Sequence, residues 1–231
     1  LRMAWYSLLP LSSIPIFFYL YLYIPIEIEP PQVEKDGFFG SGVSSRDDET
    51  IDQFTIKFTS QVKEMTRSAR ESINNFEEGT FERRVALNLA EFSWEQHSHF
   101  INSFPHFTTE MEGLSIHFVH VNLDHGKKVN RIPILLLPSS FSSFWSFFKL
   151  FPILSNPSRY GFEFGLRENI VFDVVIPSYP MSLFSDSSRE KSIDKVSVSR
   201  ILNKLMVQRL SYSKYFVFGD GGIGSEVFSV I

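Results

Sequence analysis

Tyr215-Phe216-Val217-Phe218-Gly219-Asp220-Gly221-Gly222-Ile223-Gly224-Ser225 sets a short apolar run against a glycine cluster, with an apolar segment resuming behind it. Tyr215 to Phe218 reads as a buried strand. Gly219, Gly221, Gly222 and Gly224 supply the positive φ values and missing β-carbons of a sharp strand-to-helix turn. In a sheet enzyme such a turn lifts one side chain above the sheet edge as a nucleophile, beside free backbone N–H groups. Asp220 is the only side chain in the cluster able to serve. The same spacing suits a turn whose glycines only let helix and strand pack, and the residues leave both readings open. A phosphate-binding loop is the lesser reading, and GxxxxGK is absent.

Outward from the turn, apolar runs alternate with helical periodicity. Ile116 to Val121, Ile134 to Leu137 and Ile170 to Ile176 read as strands, with His117 and His120 on opposite faces of the first. Asp124 to Lys128, which includes His125, turns the chain between the first two. Ile193, Val196, Ile201, Leu202, Leu205, Met206 and Leu210 keep helical steps that Ser192 is placed to cap, and Phe144 to Leu154 has room for another helix. This alternation predicts an α/β fold with a parallel sheet covered on both faces. Nearer the start, Val62, Met65, Ala69 and Ile73 predict an amphipathic helix capped by Ser60, and Trp94, His97, Ile101 and Phe104 a second. His97 and His99, two apart, face away from each other on a helix, so they read as solvated or capping side chains rather than a metal pair.

Composition narrows the function. The net charge of −4, with no basic block, gives nucleic-acid binding no electrostatic support. The absence of cysteine removes disulfides, thiolate metal sites and a cysteine nucleophile. With 25 Phe in 231 residues, aromatic packing must carry much of the core, or a membrane or lipid-like ligand is involved. Met3 to Ile26 is uncharged over 24 residues, long enough to cross a bilayer, with Trp5, Tyr6, Tyr19, Tyr21 and Tyr23 placed like interfacial aromatics. Pro10 and Pro15 would kink such a helix, and no small-residue cleavage site follows it, which favours an anchor over a signal peptide. Pro30 and Pro31 then form a stiff linker, and Asp36-Gly37-Phe38-Phe39-Gly40 sets two aromatics between glycines.

These segments together resemble the microsomal, membrane-anchored epoxide hydrolases, including the insect juvenile-hormone epoxide hydrolases. Asp36-Gly37-Phe38-Phe39-Gly40 is similar to that family's DGWWG. The stretch 104–121, FPHFTTEMEGLSIHFVHV, is similar to YPHFxTxIEGLxIHFIHV. Pro133 to Pro157 keeps the length and apolar pattern of the family's oxyanion-loop segment, while 176–180, 199–206 and the glycine turn follow in order. The region around Asn75 to Ala90 looks shortened. The resemblance implies an α/β-hydrolase-type parallel sheet, its N-terminal part only. It divides the chain into a membrane anchor at 1–27, a helical epoxide-hydrolase N-terminal domain at 28–110 and the first half of a hydrolase domain at 111–231. It also implies hydrolysis of apolar epoxides to diols through an aspartyl ester, without cofactor or metal, at the endoplasmic reticulum membrane on a single-pass anchor.

The catalytic loops depart from that pattern. The family turn reads GGDWGS, and alignment through Gly224 and Ser225 puts Gly222 at the nucleophile position, two residues after Asp220. The HGWPG oxyanion loop falls on Pro138-Ser139-Ser140-Phe141-Ser142, and PGYGFS falls on Pro180-Met181-Ser182-Leu183-Phe184-Ser185. All six histidines precede the turn, whereas the fold places its base after the nucleophile. The expectation is a fragment or a degenerate relative without base and lid, its last strand left with an open apolar edge, and Leu1 in place of Met favours a fragment. An inactive epoxide-hydrolase-like chain therefore stands beside a non-catalytic, membrane-tethered binding protein.

Overall fold

The computed structural model describes residues 34–43, 45–57, 60–123, 129–139, 142–163, 165, 169–188 and 191–230. The expected anchor at 3–26, the Pro30-Pro31 linker and the turn at 124–128 lie outside them. No helix among the described residues is long and apolar enough to cross a membrane.

Strands β1 (Asp52–Gln53), β2 (His106–Met111), β3 (Leu114–Val121), β4 (Val129–Leu137), β5 (Asn169–Pro177) and β6 (Phe216–Gly219) form one sheet. Their order is β1-β2-β3-β5-β4-β6. The expected parallel sheet accounts for half of it. β4 lies parallel to β5, with Ile134 opposite Val174, and parallel to β6, with Leu136 opposite Phe218. The other pairs, β1 with β2, β2 with β3 and β3 with β5, are antiparallel. Connection length is the cause: Glu112 and Gly113, at φ 53° and 77°, alone join β2 to β3. A two-residue hairpin admits only an antiparallel partner, whereas a parallel one needs a crossover.

The helices are α1 (Ser60–Ser72), α2 (Phe81–Glu91), α3 (Trp94–Ile101), α4 (Phe151–Ser155), α5 (Lys195–Lys204) and α6 (Gly222–Phe228). Ser60 is the first residue of α1 rather than its cap, and Ile73 starts a separate 3-10 turn. Ala69 of α1 is buried, but Met65 is 55% exposed. The periodicity reading has no counterpart to α2, whose signal is Thr80, accepting the Arg83 N–H. The expected helix over 144–154 is split into a 3-10 turn at Phe144–Phe147 and the short α4. Pro152 is tolerated in a helix's first turn but not in the interior of a longer one. The cap of α5 is Asp194, not Ser192: its carboxylate accepts the Ser197 N–H at 2.9 Å, and its charge meets the positive helix end.

The sheet is covered on both faces. On one, Phe118, Leu135, Leu137 and Val175 pack against Val198, Leu202, Leu205, Met206 and Val227. On the other, Val119, Leu136, Val174 and Ile176 meet Phe144, Phe147 and Phe151. Phe118, Phe144, Phe147 and Phe151 are at most 4% exposed, and each contributes roughly 1.5–3 kcal/mol. Tyr215 to Phe218 is not the buried strand expected. Among the described residues β6 pairs only with β4, and at this edge Phe216 and Phe218 are 65% and 50% exposed.

Candidate active site

The carboxyl ends of β4, β5 and β6 converge on the glycine turn. The Asp220 N–H donates to the Leu137 carbonyl at 2.9 Å, which prolongs the β6 ladder by one residue and leaves the side chain exposed. The chain then reverses through Gly221 and Gly222, at φ 62° and 50°, and α6 begins at Gly222. Gly222, not Asp220, therefore stands at the left-handed apex where a strained strand-to-helix turn presents its nucleophile. Asp220 belongs to the strand end.

Close approach explains the flanking glycines. A β-carbon on Gly219 would stand 2.5 Å from the Gly224 carbonyl oxygen, and one on Gly224 would stand 2.8 Å from the Leu137 and Pro138 carbonyls. Gly219, Gly221 and Gly224 also fit the spacing GxGxxG, but the first and last are taken up by backbone contacts inside the fold. Tyr179, after β5, donates its Oη to the Pro138 carbonyl at 2.8 Å and ties two site loops together. Burial raises its pKa, so it remains a neutral donor. Pro138 itself brings no N–H to the turn.

The loop after Tyr179 retains a shape its side chains disfavour. Met181 and Leu183 hold φ values of 71° and 36° at the two positions where the similar PGYGFS motif has glycine. Their side chains are 59% and 72% exposed.

Four of the five described histidines are engaged elsewhere, and His99 is exposed on α3. His106 Nε2–H donates to the Ile101 carbonyl at 3.0 Å, so its Nδ1 accepts from His117 Nε2 at 3.0 Å. His117 Nδ1 in turn accepts from Ser178 Oγ at 2.9 Å. Desolvation, reinforced by the proximity of His106, lowers His117 to about 3. Desolvation also lowers His106, against its bond to Ile101. Both rings are therefore neutral, and the chain of bonds runs one way. On the opposite face of β3, as expected, His120 Nε2 donates to Tyr212 Oη at 3.0 Å, which donates to Asp173 at 3.2 Å. His97 Nδ1 donates to the Ser93 carbonyl at 2.7 Å. None of these rings is hydrogen-bonded to Asp220. Among the described residues no group of three or more His, Asp or Glu is arranged to hold a metal.

Sequence reasoning missed the Ser178, His117, His106 chain, because His106 and His117 meet only through the β2–β3 register. It also missed Glu112, which carries a buried ion cluster. Its signal was the Glu112-Gly113 dipeptide between two apolar runs.

A strand, sharp turn and helix at the carboxyl edge of parallel strands, with helices on both faces, define an α/β-hydrolase type of protein. The family model described as "Epoxide hydrolase N terminus" matches residues 45–147. The chain is 28% identical over 224 residues to juvenile hormone epoxide hydrolase 1 of Ctenocephalides felis, covering 92% of this chain and 46% of that protein. It is 36% identical over 132 residues to epoxide hydrolase 1 of Oryctolagus cuniculus, covering 56% of this chain and 28% of that one. The crystal structure of juvenile hormone epoxide hydrolase from Bombyx mori superposes with a TM-score of 0.69 at 25% identity, covering 86% of this chain and 48% of that one. Residues 45–147 carry an epoxide hydrolase N-terminal domain, and most of the chain is similar to epoxide hydrolases. It spans about half the length of the curated juvenile hormone relatives it matches.

Proposed function

We propose that this chain carries the scaffold of a hydrolase for apolar epoxides, with a nucleophile turn that is unarmed as built. Residues 28–110 serve as its helical N-terminal domain, residues 111–231 as part of its hydrolase domain, and the apolar stretch at 1–27 as an anchor in the endoplasmic reticulum membrane. The observation that carries the reading is Gly222 at the apex of the turn, φ 50°, with the nearest carboxylate two residues earlier on the strand end. Ring opening needs an ionised carboxylate in line with the epoxide carbon, and hydrolysis of the resulting ester needs a base in reach of water. A glycine at the apex offers neither; His97, His106, His117 and His120 are bonded into other parts of the fold, and His99 is exposed on α3.

The test is incubation of the purified chain with 1,2-epoxydodecane, scoring diol by chromatography and covalent adduct by intact mass. The expected result is neither product for the wild type or Asp220→Asn. Gly222→Asp, whose side chain tolerates the left-handed region better than most, is expected to gain the mass of one epoxide as a stable ester. Diol formation by the wild type that Asp220→Asn abolishes would make Asp220 the nucleophile and overturn the reading.

A further inference from the structure

Away from the turn, an apolar cavity of about 590 Å³ opens between α1, α3, the Ser143–Trp145 segment and the loop bearing Leu183. Ile56, Val62, Phe144, Trp145, Leu183 and Phe184 supply apolar wall, and neither Asp220 nor its neighbours line it. The volume is that of a small-molecule site.

Two features point to an occupant. The first is strain. A leucine at φ 36° costs about 1–2 kcal/mol relative to the right-handed region, and a side chain that is 72% exposed buries too little to offset it. That side chain lines the cavity, so a ligand would cover it. The second is charge. Among the described residues the polar lining consists of Lys57, His97 and Ser143, with no carboxylate. Ser143 Oγ accepts the Trp145 N–H at 3.3 Å and keeps its own O–H to donate. His97 is held by its Nδ1 bond to Ser93 and stacks on Phe92 at 3.8 Å between centroids, a fixed ring in the wall. A cation and a hydroxyl donor beside an apolar cavity match an anion on an apolar tail.

We propose that this cavity binds an alkyl-chain carboxylate of the fatty-acid class, the carboxylate on Lys57 and Ser143 and the chain along Trp145, Leu183 and Phe184. The site is separate from the epoxide reading and does not depend on it.

The experiment uses the full chain in a Trp5→Phe, Trp94→Phe background, so that Trp145 alone reports, titrated with submicellar dodecanoate and with methyl dodecanoate. Dodecanoate is expected to change the emission saturably and to bind more tightly than the ester. Lys57→Glu is expected to weaken dodecanoate about tenfold and the ester less than about twofold, figures set by the loss of one charge contact. Lys57→Ala gives the same ordering should Lys57→Glu fold poorly. Leu183→Gly weakens both ligands. Asp220→Asn binds both unchanged, which separates this result from any at the turn. A flat titration, dodecanoate binding unaffected in both Lys57 variants, or an ester that binds as tightly as the acid overturns the proposal.

Discussion

Arg200 grips Glu112 with two parallel bonds, Nε to Oε1 at 2.8 Å and Nη2 to Oε2 at 2.9 Å, joining α5 to the β2–β3 turn. Lys204 bridges the same carboxylate to Asp36 at 2.9 and 2.8 Å, and Asp47 accepts the N–H groups of Glu112 and Gly113. The turn, the Asp36 to Gly40 segment and α5 are thus fastened at one buried point. Gly37 has no room for a side chain there, since a β-carbon would stand 2.3 Å from Arg200 Nη2.

Removing one partner should cost more than removing both. Glu112→Ala leaves Arg200, 8% exposed, without its bidentate acceptor, and is expected to destabilise by about 3–5 kcal/mol in urea unfolding. Glu112→Leu with Arg200→Met is expected to recover most of that loss. A double variant no more stable than Glu112→Ala would refute the accounting.

Acid should weaken the fold in two stages. His117 is held near 3, well below its ordinary value of 6.5, so the unfolded chain binds the extra proton at every pH between the two. Stability from this ring is therefore complete above 6.5 and falls by up to about 1.4 kcal/mol per pH unit below it. Glu112 contributes lower down: desolvation raises its pKa, but the bonds to Arg200 and Lys204 outweigh it and leave the pKa lowered from 4.5. Its contribution is present above 4.5 and lost as the pH falls through its depressed folded value. Urea midpoints at pH 7, 6 and 5 should decline for the wild type and decline less for His117→Asn.

Glycine should be better than the native residues in the Met181 and Leu183 loop. Each exposed side chain holds a positive φ, so Met181→Gly and Leu183→Gly are each expected to stabilise by roughly 0.5–1 kcal/mol, left-handed strain less the entropy glycine adds to the unfolded chain. Thermal melting reads the sign. Destabilisation by both would mean that their side chains pack more than their exposure implies.

The opposite holds at the turn. Gly219→Ala and Gly224→Ala each drive a methyl group into backbone carbonyls at 2.5 and 2.8 Å, and backbone cannot rotate away. Both are expected to lose about 1–3 kcal/mol, measured by denaturant midpoint. Gly221→Ala meets no atom within 4 Å and bears only the cost of its φ of 62°.

Much of this was readable from spacing. The apolar runs at 116–121, 134–137 and 170–176 are strands because continuous or alternating apolar residues bury a sheet face whatever surrounds them. His117 and His120 fall on opposite faces by the two-residue period alone. The 104–121 stretch carried the family, and Gly222 was already the aligned nucleophile position. What spacing hid was neighbourhood. Inside 106–121 only the second strand of the hairpin stood out, because the first, HFTTEM, is half polar. Phe216 and Phe218 read as buried from hydrophobicity alone, and their exposure matches instead the open apolar edge expected of the last strand.

Local sequence determined the elements, the glycine turn and the resemblance, since periodicity, capping and positive φ depend on residues a few places apart. Only the tertiary structure decided that half the sheet is antiparallel and that Glu112 is clamped by residues some ninety positions away. Those outcomes depend on which strand lies beside which and which helix closes over them, and the free energy that selects them comes from contacts between segments distant in the chain.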